Sequence, residues 1–173
     1  MKKRIIALGL LWCLSAVMLQ AARVDTVLVR SAAMNKDVKV VYVLPDKAIG
    51  KQACPVVYLL HGYGGNARSW VQLKPELPQM ADEKGIIFVC PDGKNSWYWD
   101  SPENPAYRYE TFVTSELVKY TDGNYATIPD RKARAISGLS MGGHGALWSA
   151  IRHKDVFGAA GSMSGGVDIR PFP

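Results

Sequence analysis

The chain is poor in the residues that build metal centres and covalent scaffolds. Its 173 residues include three histidines and three cysteines, and no set of them has metal-ligand spacing, so no metal or other cofactor is implied. Internal repeats, low-complexity tracts and interdomain linkers are missing too, which leaves one domain's worth of material. No basic stripe is present: lysines and arginines alternate with acids and do not cluster with stacking aromatics, so nucleic acid is not an implied partner. Long apolar runs are absent except for one, residues 5–19, broken only by Gly9 and Ser15. It follows Lys2, Lys3 and Arg4 and precedes Ala21 and Ala22, and it is short for a bilayer span of ~20 residues. That pattern predicts a signal peptide over residues 1–22, cleaved near Ala21 or Ala22. The mature domain, 23–173, is then secreted or periplasmic and keeps no stable membrane anchor. Losing the three leader cations lowers the net charge from +6 to roughly +3, mostly solvated surface.

Two cysteines remain in the mature part. Cys54 opens one predicted strand and Cys90 closes another. If those strands are parallel neighbours, the thiols lie ~17–20 Å apart, well outside disulfide reach. Two free, buried thiols are expected.

What is present is an alternation of elements. Residues 24–29 and 38–44 read as two strands joined by a polar turn, with 45–52 a loop. Residues 55–60 are continuously apolar, as in a strand buried on both faces, and 86–90 repeat the pattern. Between them, 78–84 fits a short helix with Pro near its first turn and Gly85 as its stop. An aromatic loop runs to about Arg108. A helix is expected over 109–120, broken by Asp122-Gly123-Asn124, then a strand over 133–137, a helix over 142–152 and a small-residue strand over 158–163. Strands and helices alternating from residue 55 indicate an α/β fold, a mostly parallel sheet with helices on both faces. The first two strands suit an antiparallel edge.

The most informative segment is Gly138-Leu139-Ser140-Met141-Gly142-Gly143, a G-x-S-x-G serine between strand and helix. A serine hydroxyl is a poor nucleophile unless the backbone presents it and a base takes its proton. The flanking glycines remove side chains that would clash in so tight a turn, and Gly143 and Gly145 let the helix approach the sheet. A second glycine-rich turn, His61-Gly62-Tyr63-Gly64-Gly65, also follows a buried strand. Acyl transfer needs two backbone N–H groups aimed at the developing oxyanion; Met141 supplies one, and Tyr63 or Gly64 the other. Both turns fall on one edge of the sheet, where α/β sites form.

A base is harder to place. His153 lies thirteen residues beyond Ser140 on one helix, ~20 Å along its axis. His144 is fixed to the same helix and is expected to pack against the sheet, while His61 orders its turn through hydrogen bonds. Asp155 and Asp168 follow the serine, but no histidine follows them, so the order Ser, acid, His is not completed. The loop with Trp97, Tyr98 and Trp99 leaves the same edge and offers faces for a sugar ring or an aryl acyl group; half or more of these rings are expected to pack the loop onto the domain instead. Glu116 is expected to make structural hydrogen bonds.

Four ordered motifs carry a resemblance: His61-Gly62-Tyr63-Gly64-Gly65; Pro91-Asp92-Gly93 with Ser96-Trp97-Tyr98; the run from Glu110 to Leu117; and Gly138-Leu139-Ser140-Met141-Gly142-Gly143. Over residues 37–169 the chain resembles the esterase D-like family of α/β-hydrolases, which includes feruloyl and acetyl-xylan esterases, S-formylglutathione hydrolases and mycolyltransferases. The resemblance implies an eight-stranded hydrolase sheet, Ser140 as nucleophile, the Met141 N–H in the oxyanion hole, and an acid and a histidine beyond Pro173. It implies the N-terminal part of a secreted serine esterase acting on a small-molecule or polysaccharide ester. A sugar acyltransferase and a non-catalytic carbohydrate-binding relative are the alternatives. The chain by itself is expected to show little esterase activity and, with the edge after 158–163 open, poor solubility.

Overall fold

The structure, a computed structural model, describes residues 22–168. The expected signal segment, but for Ala22, lies outside the described residues. Among them, no helix is long and apolar enough to cross a membrane.

Strands β1 (Arg23–Ser31) and β2 (Lys36–Leu44) form an antiparallel pair. Strands β3 (Val56–Leu60), β4 (Ile87–Pro91), β5 (Arg134–Leu139) and β6 (Ala159–Met163) complete a sheet of order β1-β2-β4-β3-β5-β6. From β4 to β6 all neighbours are parallel, while β2 meets β4 antiparallel. The expected α/β sheet with an antiparallel edge is therefore present, with six strands among the described residues where the resemblance implied eight.

Strand alternation sorts the core into two layers. Val40, Tyr42 and Leu44 of β2 turn to one face with Tyr58, Leu60, Val89 and Ile136. Val41 and Val43 turn to the other with Leu59, Phe88 and Cys90. Helices α2 (Ser69–Leu73) and α3 (Leu77–Lys84) cover this second face through Trp70, Leu77 and Ala81. The first face is covered by α4 (Tyr109–Thr111), a π-helical turn over Phe112–Glu116, α5 (Leu117–Asn124) and α6 (Met141–Arg152).

Several expectations need correction. The 45–52 loop contains a helical turn, α1 (Asp46–Ile49), and α2 has no counterpart in the sequence reading. The helix expected over 109–120 is interrupted by the π turn and runs through Asp122-Gly123-Asn124. Gly123 does not end it, because an exposed helical glycine costs only about 1 kcal/mol. Cys54 and Cys90 are both free and buried, at opposite ends of the parallel pair β3/β4 as expected.

The topology positions the site. From β3 the chain crosses to β4 on one side, then over to β5 on the other, so the carboxyl ends of β3 and β5 flank a switch point. Their register sets Leu60 beside Gly138, which brings the two glycine-rich turns together.

Candidate active site

Ser140 sits between β5 and α6 at φ 54° and ψ −116°, a region that costs a non-glycine residue about 1–3 kcal/mol. Its backbone is pinned from two sides. Ser140 N donates to Met163 O at 2.8 Å, and Ser140 O accepts from His144 N at 3.0 Å. The glycines around it are dictated by contact: a Cβ on Gly142 would stand 2.2 Å from Leu60 O, and one on Gly138 would stand 2.2 Å from Gly142 O. The serine is exposed. Among the described residues no imidazole or carboxylate hydrogen-bonds its hydroxyl, and no group of three or more His, Cys, Asp or Glu could hold a metal.

The turn after β3 lies against this elbow. A Cβ on Gly62 would be 3.6 Å from Ser140 Cβ. Gly65 N closes the turn onto Gly62 O at 3.0 Å, with Gly64 at φ 76°. Of the two amides expected to face an oxyanion, Gly64 N–H is already committed: it donates to Asn95 Oδ1 at 2.8 Å. Among the described residues nothing accepts from Tyr63 N–H or Met141 N–H. Met141 opens α6, where the first-turn amides are intrinsically unpaired and the helix dipole favours negative charge. The Tyr63 side chain is turned to solvent, so only its backbone belongs to this edge.

The three histidines are all occupied elsewhere. His61 is buried; Nδ1–H donates to Gly62 O at 2.7 Å and Nε2 accepts from Gly93 N at 2.9 Å. This neutral tautomer ties the loop after β3 to the loop after β4, as expected of an ordering residue. Nε2 thus has no proton for Asp92, and their 3.7 Å separation is not a hydrogen bond. Burial works against the Asp92 charge, yet the ammonium and N–H of Lys94 outweigh it, holding the carboxyl below its ordinary range. His153 Nε2 lies 2.8 Å from Glu110 Oε1, at the far end of α6.

His144 departs from expectation. It does not pack against the sheet; the sheet side of α6 is taken by Gly142, Gly143 and Ala146. Its ring stands among Trp97, Trp99 and Trp148. Nδ1–H donates to Gly166 O at 2.7 Å, and Nε2 accepts from Trp99 Nε1 at 2.9 Å, so neither nitrogen is free to act as a base.

The aromatic loop divides. Tyr98 is fully buried, its hydroxyl on His61 O at 3.3 Å, and its ring fills the space where Gly93 and Gly145 lack a Cβ. It is a packing residue and cannot touch a substrate. Gly145 therefore makes room for Tyr98 rather than for the sheet. Trp97 packs on His144 and beneath Gly166. Trp99 remains half-exposed. Glu116 accepts from Ser31 Oγ and Ala33 N, the structural role expected of it. Two residues escaped the sequence reading. Asn95 is not singled out there, and Glu110 appears only as a motif position, although it gathers Trp148, Arg152 and His153.

The family model for esterases matches residues 31–173. The chain belongs to the esterase family. An acetyl esterase of Caldicellulosiruptor saccharolyticus is 28% identical over 135 residues, covering 73% of this chain and 50% of that protein. A diacylglycerol acyltransferase/mycolyltransferase, Ag85A of Mycobacterium leprae, is 34% identical over 155 residues, 84% of this chain and 44% of its own. The structure of a ferulic acid esterase superposes with a TM-score of 0.70 at 31% identity, over 84% of this chain and 58% of that one. This esterase-family chain has the α/β-hydrolase fold. It spans about half the length of the curated relatives it matches, or less.

Proposed function

We propose that this chain carries the nucleophile-bearing part of a secreted serine esterase that hydrolyses carboxylic esters on carbohydrate. The observation that carries the reading is Ser140: a strained, exposed serine between strand and helix, flanked by two uncommitted backbone amides. Ser140 Oγ attacks the acyl carbon and the alcohol leaves. Met141 N–H and Tyr63 N–H hold the oxyanion, with Gly64 excluded by its bond to Asn95. Water then releases the acid and regenerates the hydroxyl. Among the described residues no histidine is placed to accept the serine proton, so the step requires a base that they do not supply. Likeness to an acetyl esterase and a ferulic acid esterase supports a small or aromatic acyl group.

Fluorophosphonate labelling of the full-length protein tests this. Labelling is expected at Ser140 and is abolished by Ser140→Ala; a full-length protein whose labelling is unchanged by that substitution, or that never labels, is not this enzyme but a non-catalytic relative. The 173-residue chain alone is expected to turn over a nitrophenyl ester at a small fraction of an ordinary esterase rate. Likeness to a mycolyltransferase supports a second reading, transfer of the acyl group to a sugar; product analysis with and without an acceptor sugar separates the two.

If the chain is exported, the contacts of Ala22 favour one cleavage point over the other. Ala22 is buried, and its N donates to Asp82 Oδ2 at 2.7 Å. Cleavage after Ala21 would make that nitrogen an ammonium paired with a carboxylate, whereas cleavage after Ala22 would discard the contact. N-terminal sequencing of exported protein is expected to begin at Ala22; a start at Arg23, or an uncleaved leader, refutes this.

A further inference from the structure

Away from Ser140, a cavity of about 600 Å³ opens between α4 and α6, within the usual size of a small-molecule site. Trp99, Asp100, Glu110, Trp148, Arg152 and His153 line it. Trp148 and Arg152 lie eight and twelve residues beyond Ser140 on α6, or ~12 and ~18 Å along the helix. The far wall of the cavity thus stands well along α6 from Ser140, while its near wall is Trp99, bonded to His144 one turn from the serine.

Its chemistry narrows the occupant. No aliphatic side chain lines it, which argues against an acyl or lipid chain. Its charges oppose one another, Asp100 and Glu110 against Arg152, which argues against a polyanion. What remains is two indole surfaces, with ring centroids 5.6 Å apart and inclined at 50°, beside planar polar groups. Such a surface suits a neutral pyranose: its C–H face lies on an indole while its hydroxyls meet guanidinium, carboxylate and imidazole.

The lining is held in place before any ligand arrives. Glu110, 8% exposed, receives Trp148 Nε1 at 2.8 Å, Arg152 Nε at 2.7 Å and His153 Nε2 at 2.8 Å. The Arg152 guanidinium also stacks on Trp148, 4.9 Å from a ring centroid. On the other wall, Trp99 is fixed by its bond to His144, and Asp100 by Thr111 N and Oγ1 at 3.0 and 2.5 Å. Hydrogen-bonding capacity is left over: among the described residues, neither the Arg152 Nη donors nor the His153 Nδ1 acceptor has a partner. Side chains locked by their own network lose little entropy on binding.

The geometry points to a glycan subsite on this face, extending along α6 from the serine's end, that takes a neutral pyranose unit of the chain bearing the ester. This rests on the carbohydrate reading above and locates where the sugar is gripped. The test uses the 173-residue chain with xylohexaose, cellohexaose and maltohexaose, read by the indole N–H signals in NMR and by tryptophan fluorescence. At least one oligosaccharide is expected to bind saturably, moving the Trp99 and Trp148 indole signals. Trp148→Leu and Arg152→Gln are each expected to weaken binding tenfold or more, while Ser140→Ala binds as wild type does. Arg152→Gln keeps a donor for Glu110, so it reports on the site even if Trp148→Leu fails to fold. Absence of binding by folded protein, binding indifferent to Arg152→Gln, or ferulate moving the same indole signals more strongly than any sugar would each overturn the subsite. The two readings fail separately: sugar binding without serine labelling in the full-length protein removes the esterase and keeps the subsite, and labelling without sugar binding does the reverse.

Discussion

Asn95 decides which amide of the glycine-rich turn stays available to an anion. By accepting from Gly64 N–H it fixes the turn and leaves Tyr63 N–H uncommitted. On the proposed esterase reading, Asn95→Ala in the full-length protein is expected to lower the second-order constant of fluorophosphonate labelling on the order of tenfold, a partial loss of one oxyanion donor. Asn95→Asp keeps the acceptor and should retain most of the rate, and neither change should move the melting temperature much. Equal loss in both variants would remove the positioning role. Two glycines show the different reasons a residue can be fixed. Gly142 has Leu60 O where its Cβ would go, whereas Gly64 has open space but a φ of 76°. We expect Gly142→Ala to destabilise by about 3 kcal/mol and Gly64→Ala by only about 1 kcal/mol, as read from urea midpoints.

At the scale of elements, β3, β4 and α6 were legible because their patterns are local: continuous apolar runs for the strands, and a glycine-serine-glycine turn opening a helix. The segment after Arg108 was half legible. Its apolar spacing announced a helix, but the π turn over Phe112–Glu116 answers to tertiary contact, with Glu116 reaching back to Ser31 and Ala33. His144 was misplaced for a similar reason, since nothing in the sequence says that Trp99 will come to rest on its Nε2. Glu110 joins α4 to α6 and yields a prediction here. Burial opposes its charge, but hydrogen bonds from Arg152, Trp148 and His153 prevail and hold its carboxyl below the ordinary range. With the folded value depressed, its contribution is fully present above the unfolded carboxyl value of about 4.3 and is lost as pH falls through the folded value. Melting temperature should therefore drop more steeply between about pH 5 and pH 3 in wild type than in Glu110→Gln. Parallel curves for the two proteins would rule out this linkage.

Across the whole molecule, the sheet is unevenly finished. The central strands lie under helices on both faces and the edge strand β1 still buries Val29 and Ser31, whereas β6 is exposed along nearly its full length, with Gly161 alone partly covered. A bare parallel edge is a template for pairing with another chain. Ala160→Lys, on the exposed strand, is expected to reduce concentration-dependent light scattering without changing the far-ultraviolet circular dichroism; scattering that is unaltered would place association elsewhere.

The two thiols turn this unevenness into something that can be timed. Cys90 closes a central strand and is walled in on every side, its thiol pushed up by burial. Cys54 is as buried but sits where the chain enters β3, held by Ala126 O and Ile128 N beside Thr127. A bulky alkylating reagent should reach Cys54 through fraying of that entry and reach Cys90 only when the whole sheet opens. The ratio of the two alkylation rates would then measure the gap between local and global opening, with no substitution introduced.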